Sequence, residues 1–353
     1  MKTLKKKNTS AKRPNKTFLL ESQFAEVADI IRSGRGKAVS AANAVLIKTY
    51  WQVGEYISGR IEKSQWGQGV VKDLARYLAR SLPNSRGFSA RNLWRMKQFY
   101  DTYKGHKKLS TLLTELPWSS HLHIISKSRT PEEREFYLRL SVKERYDVRA
   151  VERAIDSGLF ERSSTSSPKL STPLRQMHKD TEKIFRDSYT LDFLGLPEGY
   201  SEIELRRAIV RSLKDFIIEF GRDFAFIGEE YRLQVGMKDF FLDLLFFHRE
   251  LCCLVAFELK IEDFRPEHLG KLSFYLEALD RDVKKPHENP SIGIILCKGK
   301  DNEIVEYALS RTLSPAAIAD YTTKLPDKRL LQEKLHEFFD STVREIRPLY
   351  EGK

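Results

Sequence analysis

Cysteine is scarce: the 353 residues hold three, Cys252, Cys253 and Cys297. All three fall in apolar runs and read as small core residues, so a disulfide-stapled scaffold is excluded. The eight histidines form no zinc pattern, since His121 and His123 have no cysteine near them. No apolar run is long enough to cross a bilayer and no leader-like segment opens the chain, so a cytoplasmic protein without a membrane partner is expected. A nucleotide cradle is missing too. Gly34-Arg35-Gly36-Lys37-Ala38 lacks the earlier glycine and the closing Ser or Thr of a phosphate loop, and reads as a loop between helices.

What the chain has is length for two domains and a lopsided charge. Through Arg175 there are 34 Lys and Arg against 16 Asp and Glu, net +18; the remainder carries 27 against 33, net −6. A field of that sign gathers polyanions, so the first half is the expected nucleic-acid holder. Residues 1 to 16 contribute seven basic residues and no acid, the composition of a disordered arm. Without that arm the first half is still +11. The run Ser163-Ser164-Thr165-Ser166-Ser167-Pro168-Lys169-Leu170-Ser171-Thr172-Pro173 reads as the linker.

The second half contains two nearly continuous apolar runs of strand length, Phe240 to Phe247 and Leu251 to Lys260, about the polar turn His248-Arg249-Glu250. That is a hairpin pattern. Side chains alternate along a strand, so Glu258 and Lys260 share a face, and antiparallel pairing brings Asp243 beside them. Buried charges need partners. A hard divalent cation, Mg²⁺ or Mn²⁺, would neutralise Asp243 and Glu258, and Lys260 could orient or deprotonate an attacking water. The plain alternative is a salt bridge in a sheet core. His248 lies beside this spot in the turn, where an exposed histidine is the simpler expectation.

Phe224-Ala225-Phe226-Ile227-Gly228, Asp243-Leu244-Leu245-Phe246-Phe247-His248, Glu258-Leu259-Lys260, Phe264-Arg265-Pro266-Glu267-His268-Leu269-Gly270 and Tyr275-Leu276-Glu277-Ala278-Leu279-Asp280 follow in order. From about Tyr200 to Phe338 the chain thus resembles the nuclease domain of bacterial YhcG-type proteins, in the PD-(D/E)XK phosphodiesterase superfamily. The resemblance implies metal ligation by Asp243 and Glu258 and a water-serving role for Lys260. Leu242 stands where the signature has proline. Gly67-Gln68-Gly69, Gly87-Phe88-Ser89, Asn92-Leu93 and Trp118-Ser119 extend the resemblance to the N-terminal domain, whose role in those proteins is uncharacterised.

Around the motif, Glu202 to Phe220 has apolar residues spaced as one helical face, with Glu202 or Glu204 placed to add a carboxylate or simply to sit solvated in the first turn. Glu267 to Leu279 is a second helix, with Lys271 and Tyr275 on one face and within reach of a phosphate. Ser291 to Cys297 reads as a buried strand, and another helix starts at Asp301. In the first half, Val70 to Leu82 and the segment after Ser89 read as helices about the turn Pro83-Asn84-Ser85-Arg86-Gly87-Phe88. Leu93, Met96, Tyr100 and Tyr103 face inward. Arg86, Arg91, Asn92 and Arg95 are then candidates for contacting nucleic acid, as in a helix-turn-helix; an ordinary helical hairpin has the same pattern.

The expectation is an α+β two-domain protein: a basic tail at 1–16, a mainly helical domain at 17–165, and a PD-(D/E)XK restriction-endonuclease-like α/β sandwich at 176–345. Its function would be metal-dependent hydrolysis of DNA phosphodiesters, with RNA open as a substrate and a homodimer as an assembly. The rival is a catalytically inactive nucleic-acid-binding or complex-assembly protein on a nuclease fold.

Overall fold

A computed structural model of the protein describes residues 16–63, 66–83, 85–177 and 181–336, with the side chains of 16–23, 68 and 107 set aside. The expected tail up to residue 15, Asn84 of the expected turn, and 337–345 of the expected nuclease segment lie outside the described residues. The chain divides into two compact units at Leu122/His123.

The first unit is helical: α1 (Lys16–Glu62), α2 (Gln68–Ser81), α3 (Ala90–Tyr103), α4 (Ser110–Leu113) and the start of α5 (Trp118–Lys127). Gly34 to Ala38 lies inside α1, not in a loop. No proline interrupts that stretch, and glycine alone weakens a helix without ending it. Tyr50, Ile57, Val71, Leu93 and Met96 form the buried centre between α1, α2 and α3. Ser89 caps α3 by accepting from Asn92 N at 3.3 Å, and Gly87 makes the preceding turn at φ 96°, a conformation side chains oppose. Phe99 is fully buried where the pattern put Tyr100. Both fit the helical spacing, but Phe99 packs edge-on to Trp118 and His121, while the Tyr100 hydroxyl reaches Glu55 at 3.3 Å.

Helices α1 and α3 approach closely at Gly54. A Cβ there would stand 2.2 Å from the carbonyl oxygen of Met96. Gly54→Ala is therefore expected to lower stability by about 1–3 kcal/mol, because backbone and not a yielding side chain must move. Thermal unfolding of the variant checks this, and an unchanged midpoint would contradict it.

The second unit continues with α6 (Pro131–Lys143), α7 (Val148–Asp156), α8 (Leu159–Thr165), β1 (Lys169–Leu170), α9 (Thr172–Met177), α10 (Thr181–Ile184) and β2 (Ser188–Thr190). After these come α11 (Glu202–Arg211), α12 (Leu213–Phe220), β3 (Phe224–Val235), β4 (Lys238–His248), β5 (Cys253–Leu259), α13 (Glu267–Ala278), β6 (Asn289–Cys297), α14 (Asn302–Ser310) and β7 (Ala316–Thr322). The sheet order is β1-β7-β6-β5-β4-β3, with β2 added beside β7. Pairing is antiparallel in β3–β4–β5 and parallel in β5–β6–β7. One face carries α11 and α12 through Leu205, Ile209, Phe216 and Phe220 against Phe246, Val255, Phe257 and Ile294. The other carries α13 and α14 through Leu269, Leu272, Leu276 and Val305 against Leu245, Ala256, Ile295 and Ile318. This is the expected α/β sandwich.

Two expectations are corrected. The helix read over Glu202 to Phe220 breaks at Ser212 into α11 and α12. The serine-rich run is no linker. Ser164 and Thr165 donate back to Phe160 O and Glu161 O within α8, and Leu170 pairs with Ala317 of β7. Ser171 is buried, donating to Ser314 O and accepting from Ala316 N, each at 2.9 Å. Polar composition suggests solvation, but these hydroxyls supply hydrogen bonds that buried backbone requires. The helices before the run belong with the sheet because Glu219 of α12 ties them to it. Its buried carboxylate meets Arg153 of α7 (3.2 Å), Arg162 of α8 (3.4 Å) and Arg186 (3.7 Å), and accepts from Thr190 N (2.9 Å).

Candidate active site

The site lies where β4 and β5 run side by side and the first turn of α11 and the face of α13 meet them. Regular pairing is broken here. Leu242 packs under α13 while Leu244 packs under α11 and α12, although strict alternation would put both on one face. Glu230 of β3, opposite Asp243 between the pairs Glu229–Leu244 and Tyr231–Leu242, has φ 45°. That left-handed conformation is uncommon outside glycine, and such distortions gather at working sites. On β5 the order is regular: Val255, Phe257 and Leu259 face the α11–α12 layer, Leu254 and Ala256 face α13, and Glu258 continues the α13 side.

The expected convergence occurs. Asp243 Oδ2 accepts from Leu259 N at 2.9 Å, which fixes the carboxylate against β5 between Glu258 and Lys260. Lys260 Nζ is 3.0 Å from Glu258 Oε1 and donates to Glu202 Oε1 and Oε2 at 3.3 Å and to Leu259 O at 2.9 Å. Lys271 of α13 also pairs with Glu258 Oε1. The Glu258 side chain is 0 % exposed, and its Oε2 has no hydrogen-bond partner among the described residues. One oxygen thus takes two ammonium groups while the other, equally buried, takes none.

Burial pulls the Lys260 ammonium down, but the charge and hydrogen bond of Glu258, with Glu202, outweigh it and the pKa is raised. Lys271 follows the same pattern: burial lowers, Glu258 raises by more. Tyr275 is raised by its burial. Both amines therefore stand as cations at neutral pH, suited to donating hydrogen bonds rather than to removing a proton.

Glu202 joins the site through Lys260, whereas Glu204 closes the capping box of α11 with Ser201 and is spent there. Tyr275 does not offer its hydroxyl to a substrate: it donates to Phe241 O at 3.1 Å, two residues before Asp243, and so holds β4 in place. Lys271 lies 5.4 Å above the Tyr275 ring and its side chain is half-exposed. His248 is buried, not exposed; its Nδ1 accepts from Leu251 N at 3.1 Å and its ring packs edge-on to Phe224. Sequence reasoning missed Arg206. Its guanidinium bridges Asp243 Oδ1 (3.2 Å) and Glu230 Oε1 (2.7 Å), and its place one turn after Glu202 on the same helix was the available signal.

In the first unit, Arg86 and Arg91 are exposed and Arg95 is half-buried. Asn92 is committed to the fold. Its Oδ1 accepts from Trp118 Nε1 at 3.0 Å and its Nδ2 donates to Gly87 O, so it latches the turn.

A mixed sheet flanked by helices on both faces, with Asp243 on one strand and Glu258-Leu259-Lys260 on the next, defines the PD-(D/E)XK nuclease class. Residues 182–336 match the model of the YhcG PDDEXK nuclease domain and residues 26–162 that of the DUF1016 N-terminal domain. The chain is 30% identical over 348 residues to the Escherichia coli (strain K12) protein named "Putative nuclease YhcG", covering 88% of this chain and 92% of that one. The chain belongs to the YhcG family. Among solved structures, that of a repair endonuclease from Pyrococcus abyssi matches 37% of this chain and 50% of its own at 17% identity and a TM-score of 0.24. The N-terminal family match runs past Leu122, so it includes helices that the fold packs into the second unit.

Proposed function

We propose that the chain hydrolyses phosphodiester bonds of DNA with the help of Mg²⁺ or Mn²⁺. The observation that carries this reading is the Glu258 carboxylate, fully buried with one oxygen left unpartnered beside a second carboxylate and a protonated lysine. An unpartnered buried anionic oxygen is costly unless something meets it. The donors are carboxylate oxygens only, which suits a hard ion. Among the described residues no three acidic, histidine or cysteine side chains are gathered as a ready-made cage, so Asp243 and Glu258 would hold the ion with water and substrate completing its shell.

When bound, the ion supplies Lewis-acid polarisation of a phosphoryl oxygen and offsets charge developing there. Lys260 directs its ammonium at the attacking water and the phosphorus-bound oxygens, oriented by Glu202 on one side and Glu258 on the other. Lys271, half-exposed, draws the phosphate in. Arg206 balances Asp243, and Tyr275 fixes the strand that carries it. Labelled DNA incubated with the purified protein tests the reading: cleavage dependent on Mg²⁺ or Mn²⁺ and lost in Lys260→Ala is expected, whereas cleavage unaffected by chelator or by that substitution would overturn it.

One observation favours the second reading, a binding protein with a silent site. Arg206, Lys260 and Lys271 already pair both carboxylates, which balances charge without an ion. Metal binding separates the two readings.

The basic first half is proposed as the nucleic-acid holder through Arg86, Arg91 and Arg95. If Arg91 and Arg95 each touch a phosphate, Arg91→Ala with Arg95→Ala should weaken DNA binding and reduce the slope of log affinity against log salt by roughly 0.9 for each phosphate no longer neutralised. Fluorescence anisotropy over a salt series checks this, and an unchanged slope would remove those residues from the interface.

A further inference from the structure

Along α1, residues 24 to 42 are exposed almost all the way round, and although Val39, 70% exposed, lies off it, one regularly spaced row of apolar and small residues runs along this stretch. Phe24, Val27, Ile31, Gly34, Ala38, Ala41 and Val45 follow spacings of three and four in strict alternation, the seam of a coiled coil. Phe24 is 66%, Val27 55%, Ile31 52% and Val45 65% exposed, and Ile30 beside the seam is 70% exposed. Gly34 and Gly36 each cost the helix about 1 kcal/mol relative to alanine, and helices in proteins draw most of their stability from packing an apolar face. A Cβ built on either glycine meets nothing within 4 Å. The segment therefore requires a cover.

Its own composition says which. The seam is bulky in its first half (Phe24, Val27, Ile31) and small in its second (Gly34, Ala38, Ala41). A second copy running antiparallel sets Phe24 against Ala41, Val27 against Ala38 and Ile31 against Gly34, each pair occurring twice about a two-fold axis between Arg32 and Ser33. Every layer then joins a large residue to a small one, as close packing needs. In parallel alignment glycine would face glycine and alanine face alanine, leaving hollows, while Phe24 would meet Phe24. We propose that residues 24–41 of α1 pair antiparallel with the same segment of a second copy of this chain. The pairing does not rest on the nuclease reading and would survive its failure.

Two measurements on the full chain test it. Sedimentation equilibrium should give twice the 41.1 kDa chain mass, falling to the single mass in the double variant Val27→Glu, Ile31→Glu. Under mild oxidation, the double variant Val27→Cys, Ala38→Cys should form a covalent dimer that neither Ala38→Cys alone nor the parent chain forms. A monomeric parent, a dimer indifferent to the two glutamates, or efficient linking by Ala38→Cys alone would each overturn the proposal; the last would indicate parallel helices, and a monomer that some other segment of the chain covers the seam.

Discussion

Asp243→Asn is expected to reduce metal-dependent cleavage of labelled DNA by about 10²–10³-fold or more while leaving the protein folded. The substitution keeps the shape and the oxygen that accepts from Leu259 N and removes only the negative charge. Arg206 is not stranded by the change, because Glu230 still holds it at 2.7 Å, so the loss of stability should stay within about 1–2 kcal/mol. The two readouts therefore separate. Steady-state cleavage with Mg²⁺ and Mn²⁺, beside a denaturant titration, measures both. Cleavage at the parental rate would remove Asp243 from the chemistry, and a collapse of stability without residual structure would make it a structural residue instead.

The largest stability effect is expected at Glu219, far in sequence from the motif. Glu219→Ala leaves Arg153, Arg162 and Arg186 around a space with no carboxylate, and removing one member of a buried ionic cluster costs about 3–5 kcal/mol. Burial pushes the Glu219 carboxyl up, but Arg162, Arg186 and Arg153 outweigh it, and the group is held below the ordinary range. A depressed carboxyl stabilises the fold fully above its unfolded pKa of about 4.3. That contribution is lost as pH falls through the lower folded value. Urea unfolding at pH 7 and at stepwise lower pH should thus show parent and Glu219→Ala converging below about pH 4. A constant gap across that range would contradict the assignment.

The strands that carry the chemistry were legible because their apolar runs are long and a charge inside such a run stands out: β4, β5 and β6 lie where the runs placed them, and Asp243, Glu258 and Lys260 meet. The strand β3 was not read because its exposure alternates irregularly about a register shift near Ile227 and the left-handed Glu230. The strand β7, Ala316 to Thr322, holds three alanines and an aspartate in its seven residues, types that carry little strand preference. Placement of α6 to α8 against the sheet depends on ion pairs such as Arg153 with Glu219 and Lys328 with Glu133. Partners so distant in sequence leave no local pattern. Arg206 was hidden for a related reason: an arginine on an amphipathic helix looks solvated until the strand opposite it supplies Asp243.

Calorimetric titration of Mn²⁺ into the parent chain, Asp243→Asn and Glu258→Gln bears most directly on the proposed metal site. The parent is expected to take up the ion with heat that both variants lose, each remaining folded. An absence of binding by the parent, or equal binding by all three, would contradict it.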